Sequence, residues 1–405
     1  MKAIPYSNLI TLMFTIIMDI MGVGLVLPLL PNLVVSTTSP FYNGVDSFIS
    51  YGIVLAVWSL GGFFGSPFLG SFSDRIGRKK ILITSLSCNA IIYAFTALAV
   101  LQKWFIFFIL MRFCSGFFSG SFEIAQAAVA DKSSHEDKAK NMSYMILAVA
   151  LGSIVGPFLS GVTVSFGVIM PFIFAACLSC LNVFCLSVFF RETHERKAHK
   201  ILWLSLMTSF TFLFRDPRTR RLAIVFLAFQ FAWGFYFQSI SLVLHEAYHF
   251  IPKQISFFFI VLGIGFALVP LFFQKFMMQF FSLRMTSFWG FIISGIFISL
   301  SFFLRSIEEI QWVVVFVFSV FECLAFSSLL AMLSNQVTSE EQGKLMGGCG
   351  SLFAISFIVI GLSVGVLSNL SIWFSTLLSA AFFFLSGILI HLIKEKDTFS
   401  DRSKN

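Results

Sequence analysis

Twelve apolar runs, each long enough to cross a bilayer, follow one another along this chain of 405 residues, and no other feature restricts its fold as tightly. A hydrocarbon core of roughly 30 Å takes about 20 helical residues. Runs at 6–30, 48–70, 81–101, 104–130, 142–166, 168–190, 221–244, 255–275, 285–304, 311–335, 344–367 and 371–393 satisfy that length. A segment exposed to lipid has to satisfy its own backbone hydrogen bonds, which leaves helices and closed barrels, and the period-2 alternation of a barrel is absent. Composition agrees, with 58% of residues hydrophobic and only 11% charged, outside the range of soluble domains. The expected fold class is an all-α integral membrane protein of twelve transmembrane helices.

Cytoplasmic loops retain Lys and Arg preferentially. With the N-terminus inside, 23 of the 27 basic residues fall in inner segments; Lys103, Lys253 and Arg305 fall outside, and Arg112 lies within a span. Both termini are therefore expected in the cytoplasm, with the chain in the cell (inner) membrane. The net charge of +8 then reflects topology and not a nucleic-acid footprint. The first run is too long for a signal peptide, contains Asp19 and lacks a small-residue cleavage site, so it is expected to remain in the mature protein. All seven cysteines fall within spans, which argues against an extracellular disulfide framework. The C-x-x-C of Cys177 and Cys180 lies in an apolar helix and is not read as a redox or metal site.

The expected domains are a six-helix bundle over 1–190, a cytoplasmic linker over 191–220, a second six-helix bundle over 221–393 and a tail over 394–405. Within the linker, the apolar stretch 201–214 is too short to cross and has cations on both sides, which predicts a helix lying on the inner leaflet.

Four ionisable residues sit well inside spans: Asp19, Arg112, Glu123 and Glu322. Each costs at least about 2.5 kcal/mol at the bilayer centre on insertion scales, so each is expected to face a water-filled cavity or a partner. At about 100° per residue, Arg112, Ser115, Ser119, Glu123 and Gln126 fall on one stripe of a continuous fourth helix. On that helix about 16 Å of rise separates Arg112 from Glu123, so each needs a partner elsewhere. Asp19 is the expected partner of one of them. A carboxyl that meets an apolar enclosure, a guanidinium and water in turn changes its proton affinity as a cavity opens and closes. Asp19 is accordingly expected to carry protons.

Four local patterns occupy the first half. Span 1 carries D-x-x-G-x-G-x-x-x-P-x-x-P through Asp19, Gly22, Gly24, Pro28 and Pro31. Between spans 2 and 3, "GSFSDRIGRKKIL" has Gly70, Asp74, Arg75, Gly77, Arg78 and Lys79 in the spacing G-x-x-x-D-R-x-G-R-[RK]. Span 4 has "RFCSGFFSG", with Arg112, Gly116 and Gly120, and span 5 has "GSIVGPFLSG", with Gly152, Gly156, Pro157 and Gly161. In these patterns, and in its span count over nearly the whole chain, the sequence resembles the major facilitator superfamily, and within it the twelve-span drug:proton antiporters that include tetracycline exporters. Ser115 and Ser160 depart from the family's commoner Gln and Gly, and "QKFMMQFFSLR" between spans 8 and 9 has lost the repeated copy of the loop motif.

The resemblance implies two pseudo-symmetric six-helix bundles that expose a central cavity alternately to each side. It implies a cytoplasmic latch in which Asp74 sits at the start of helix 11 and an Arg pairs with Asp131 at the end of helix 4. It assigns Arg112 to proton coupling, beside Asp19 and Glu123, and the span 5 motif to exporters. The expected function is proton-coupled export of a small amphipathic compound. Three acids against one Arg suggest that cationic lipophiles are tolerated, and Gln230, Tyr236, Gln238 and Glu322 are candidate substrate contacts because a promiscuous pocket needs aromatic area plus a few polar groups. The alternative is a proton-coupled importer or exporter of a metabolite or siderophore on the same fold. The expected partners are the small molecule, protons and the bilayer, with a monomer as the working unit and no cofactor besides the proton gradient.

One rival pattern stands apart. "HEAYH", residues 245–249, is an H-E-x-x-H string, which on a helix can place two imidazoles on one face to bind zinc. It falls just past span 7, Pro252 follows, and no neighbouring segment supplies an evident third ligand. A membrane metalloprotease is therefore the remote alternative, and no catalytic or metal-binding residue is assigned. A G-x-x-x-x-G-K-[ST] loop is absent, which argues against nucleotide-driven transport in this chain.

Overall fold

The structure is a computed structural model and describes residues 6–42, 46–132, 138–192, 211–338 and 341–393. Among these residues there is no strand, and twelve helical spans are long and apolar enough to cross a membrane. In order they are Asn8–Val34, Ser47–Ile76, Arg78–Leu101, Phe105–Val129, Leu147–Phe166, Met170–Phe189, Pro217–Tyr248, Pro252–Phe273, Leu283–Phe303, Glu308–Asn335, Lys344–Leu370 and Phe374–Leu392. Large apolar side chains cover the outside, among them Ile106, Phe166, Phe303 and Leu370, as a lipid-facing surface requires.

Three features differ from the sequence reading. The segment between spans 2 and 3 is almost entirely helical: span 2 runs to Ile76, span 3 starts at Arg78, and Gly77 alone makes the turn, at φ 113°. Only glycine takes up that backbone conformation without strain. Span 4 is two helices, Phe105–Phe117 and Ser121–Lys132, with a non-helical step at 118–120 between them. The third difference lies in span 8, where Val269–Phe273 is a π-helical turn containing Pro270. Proline cannot donate to the helical ladder, and one widened turn absorbs the missing bond. Of the interfacial helix expected over 201–214, residues 201–210 lie outside the described residues, and 211–214 are helical.

The chain divides into two compact units, 1–203 with 244–263, and 204–243 with 264–405. The grouping of 244–263 with the first unit has a local cause. A side-chain carbon at Gly161 would lie 3.0 Å from Ser256, and one at Gly263 would lie 2.7 Å from Ile154, so the start of span 8 packs closely on span 5.

Within the first unit, small residues bring backbones together. Gly61 and Gly65 of span 2 face the backbone of Phe113–Phe117 in span 4, and Gly116 faces Trp58 and Gly62 in return. Two small-x-x-x-small faces, Gly61/Gly65 and Gly116/Gly120, thus pack on each other. Spans 1 and 5 meet in the same way: a side chain at Gly156 would lie 2.7 Å from the Met21 carbonyl and 3.1 Å from the Gly24 Cα. Ser160 tolerates its departure from glycine because its hydroxyl donates to the Leu25 carbonyl at 2.8 Å. In the second unit Gly290 lies against span 10 and Gly387 against Ile292 of span 9. Arg284, in the first turn of span 9, donates to the last carbonyls of span 12, those of Ile390 and His391, at 3.3 and 2.5 Å. A cation at a helix C-terminus is favourable.

Candidate functional site

The break in span 4 has both a cause and a remedy. No proline stands there; the chain is instead fitted against the glycine face of span 2, and the helical ladder stops. A carbonyl freed inside an apolar bundle needs a donor. Asn89 of span 3, 4% exposed, supplies one, its Nδ2 donating to the Phe118 carbonyl at 3.2 Å. Ser119 closes the step locally by donating to Gly116 at 2.7 Å. The break corrects the continuous stripe expected from Arg112 to Gln126: Arg112 and Ser115 are buried in the first half, whereas Glu123 is exposed in the first turn of the second. A carboxylate there is favoured by the half-helix dipole.

Arg112 is 5% exposed and, among the described residues, forms no salt bridge. The expected ion pair with Asp19 is therefore not made. The guanidinium lies over the Trp58 ring instead, 5.9 Å from its centroid, and its Nε has no hydrogen-bond partner. A cation over an indole is attracted by the ring quadrupole, which replaces part of the lost solvation. The charge is held but not neutralised.

Tyr93 connects what the sequence left apart. Its hydroxyl fills the notch at Gly22, one helical turn beyond Asp19, where any side-chain carbon would collide with it. The same hydroxyl lies beside Ser115 and within electrostatic reach of both Asp19 and Arg112, and Glu123 in turn acts on Asp19. Spans 1, 3 and 4 so converge on a cluster of two carboxyls, one guanidinium and one phenol. Asp19 itself is half-buried. Tyr93 and Asn89 were legible in principle: with Ser85 they recur every four residues along span 3, one face of that helix.

At the start of span 3, Arg78 is 6% exposed although it carries a charge at a helix end. It bonds Asp74 at 2.6 Å and donates to Ser73 at 2.5 Å. Arg75 is exposed. Gly70 meets nothing within 4 Å of an added side-chain carbon, so contacts in this structure do not require glycine there. The side chain of Asp131, expected to pair with an Arg of this motif, lies outside the described residues. In span 5, Gly152 faces Ile17 and Ile20, Pro157 lies within the helix against Gly24, and Gly161 faces Ser256.

Of the second-half candidates, Gln238 donates to the Phe357 carbonyl at 3.0 Å and so ties span 7 to span 11, and Tyr236 is fully buried with its ring 4.5 Å from that of Phe318. Gln230 is 3% exposed. Glu322 is 5% exposed on span 10, one turn from Phe318 on one side and Phe326 on the other, and those rings reach Trp233 and Phe229 of span 7. Beside span 7, Asp216 accepts from the Arg218 backbone at 2.9 Å, and the Arg218 guanidinium bonds Asp216 at 2.6 Å and Glu341 at 3.2 Å. Hydrogen bonds from Arg218 hold the Asp216 carboxyl below its ordinary value. For Glu341 the backbone N–H of Thr338 does the same, with Arg218 adding to it.

The zinc reading of "HEAYH" does not fit this geometry. The helix ends at Tyr248, and His249 leaves it at φ 55°, so the two imidazoles do not share a helical face. His245 turns its Nδ1 to the Phe250 carbonyl at 3.3 Å. Among the described residues no three His, Cys, Asp or Glu side chains gather as a metal site.

Known proteins resemble this chain over most of its length. The sequence model of the Major Facilitator Superfamily matches residues 12–275 and again 222–405. The chain is 26% identical over 358 residues to the Tetracycline resistance protein, class C, of Escherichia coli, which covers 87% of each. It is 26% identical over 414 residues to the Quinolone resistance protein NorA of Staphylococcus aureus, covering 98% of this chain and 99% of that one. The human organic anion transporter MFSD10 (TETRAN) superposes with a TM-score of 0.73 at 19% identity, over 96% of this chain and 100% of that chain, a likeness of fold. Twelve spans, glycine-matched helix pairs and a family match that covers both halves lead to one assignment: the chain belongs to the Major Facilitator Superfamily.

Proposed function

We propose that this transporter exports small amphipathic compounds in exchange for protons, by alternating access. The observation that carries the reading is the cluster of Asp19, Tyr93, Arg112 and Glu123 inside the apolar first unit. Ionisable groups are kept in membrane spans chiefly where they move ions or substrates. An arginine held over an indole without a counter-ion is a fixed positive charge, and Tyr93, within electrostatic reach of both, links it to Asp19. The relatives named for tetracycline and quinolone resistance support export of aromatic, amphipathic drugs. Glu322, Gln230, Tyr236, Gln238 and the aromatic seam between spans 7 and 10 would meet the substrate, and the latch of Asp74, Arg75, Arg78 and Asp131 would close the inner gate. The proton gradient supplies the work, the unit is a monomer in the cell inner membrane, and both termini are cytoplasmic.

The test is drug-dependent proton release in inverted membrane vesicles across a compound panel. Wild-type protein should release protons on drug addition. Asp19→Asn should abolish release, and Tyr93→Phe, which keeps the ring and loses the hydroxyl beside Ser115, should slow it by roughly two- to tenfold, the worth of one neutral hydrogen bond. Proton release triggered by a metabolite and by no drug, or undiminished release from Asp19→Asn, would overturn the reading.

A further inference from the structure

A residue that no motif contains caps the start of span 3. Glu192 follows span 6 and is exposed, yet both its carboxylate oxygens are used. Oε1 accepts from the Arg78 backbone N–H and Oε2 from that of Lys79, each at 3.1 Å. These are the first amides of span 3, which have no partner within their own helix. A carboxylate placed there gains from the helix dipole as well as from two charge-assisted bonds.

Three further contacts make this a mount and not a chance cap. The Lys79 ammonium donates back to the Ser187 carbonyl of span 6 at 2.8 Å. Arg191, the preceding residue, exchanges two bonds of 3.0 Å with Asn8 at the start of span 1, through its own N–H and carbonyl. A side-chain carbon at Gly77 would lie 2.5 Å from Glu192 Oε2, so the positive-φ turn and the carboxylate are fitted to each other. Arg78 is thereby bonded at its backbone by Glu192 and through its guanidinium by Asp74 and Ser73. Immediately after Glu192 the chain enters the basic segment that leads to the second half of the sequence.

We infer that Glu192 is a positioning residue of the inner gate, fixing the Gly77–Lys79 backbone so that Arg78 reaches Asp74, and tying that latch to the end of span 6. This rests on the gate role proposed above for Asp74 and Arg78. Its own chemistry is independent of which compound is carried: a carboxylate clamp on two backbone amides.

Hydrogen–deuterium exchange of the purified full chain, paired with transport kinetics, tests it. Glu192→Ala should speed exchange of the amides at 78 and 79 by about tenfold or more and lower kcat by a similar factor while leaving KM unchanged. Glu192→Gln keeps the shape and one acceptor oxygen, and should fall between Ala and wild type in both measurements. Unchanged amide exchange in Ala and Gln would overturn the clamp. Faster exchange with wild-type kcat would overturn its role in the gate. Wild-type protein that moves substrate without protons would instead refute the proposed antiport and leave both arms of this test standing.

Discussion

The amide of Asn89 donates to the backbone carbonyl of Phe118 across 3.2 Å, and so one side chain of span 3 closes the gap in span 4. Replacing Asn89 by Leu keeps the branching and the number of side-chain heavy atoms and strands that carbonyl in an apolar bundle. A buried acceptor left without its donor costs about 1–3 kcal/mol. Thermal unfolding of the detergent-solubilised Asn89→Leu variant should show a lowered midpoint, with Asn89→Gln between it and wild type. A wild-type midpoint for Leu would mean that the carbonyl finds another donor.

Two glycines of equal standing in the family patterns should respond oppositely to alanine. At Gly156 the added methyl meets the Met21 carbonyl and the Gly24 Cα, backbone atoms of span 1 that cannot swing aside. Overpacking of that kind costs about 1–3 kcal/mol. At Gly70, inside the span 2 helix, the methyl meets nothing within 4 Å, and alanine is the better helix former by roughly 1 kcal/mol. Gly156→Ala should therefore lower folded yield and unfolding midpoint, while Gly70→Ala leaves both unchanged or raised. Equal losses in the two variants would contradict the packing described.

The Asp216–Arg218–Glu341 cluster predicts a pH dependence with a definite sign. Both carboxyls are held below their ordinary values in the folded chain, by Arg218 for Asp216 and by the Thr338 amide and Arg218 for Glu341. Their stabilisation is complete above the unfolded-state values and is lost as pH falls through the folded ones. The unfolding midpoint of wild type should exceed that of Arg218→Met at pH 7 and converge with it below the ordinary carboxylate range, roughly pH 4. Because Arg218 is 45% exposed, high salt should also shrink the difference. A difference independent of pH would show that Arg218 acts through packing of its stem.

The spans were legible because hydropathy over about 20 residues is a local property. The break at 118–120 was not, since "GFFSG" contains no helix-stopping proline; what ends the ladder is the glycine face of span 2 and the donor on span 3, both distant in sequence. Among the site residues, Asp19, Arg112 and Glu123 announce themselves by the energy of a charge in hydrocarbon. Tyr93 and Asn89 carry no formal charge and so give a weaker signal, although their spacing with Ser85 marks one face. Glu192 was hidden for the opposite reason, standing among many charges in "RETHERKAHK", where a carboxylate is read as solvated.

The interrupted ladder of span 4 gives Arg112 and Glu123 separate mechanical footings. The guanidinium is anchored to span 2 through Trp58, whereas the carboxylate rides on the shorter piece from Ser121 to Lys132. A swivel of a few degrees at Phe118–Gly120 can therefore change how far Glu123 stands from Asp19 without dragging the cation along, so that the two acids are brought together or parted by a hinge three residues long.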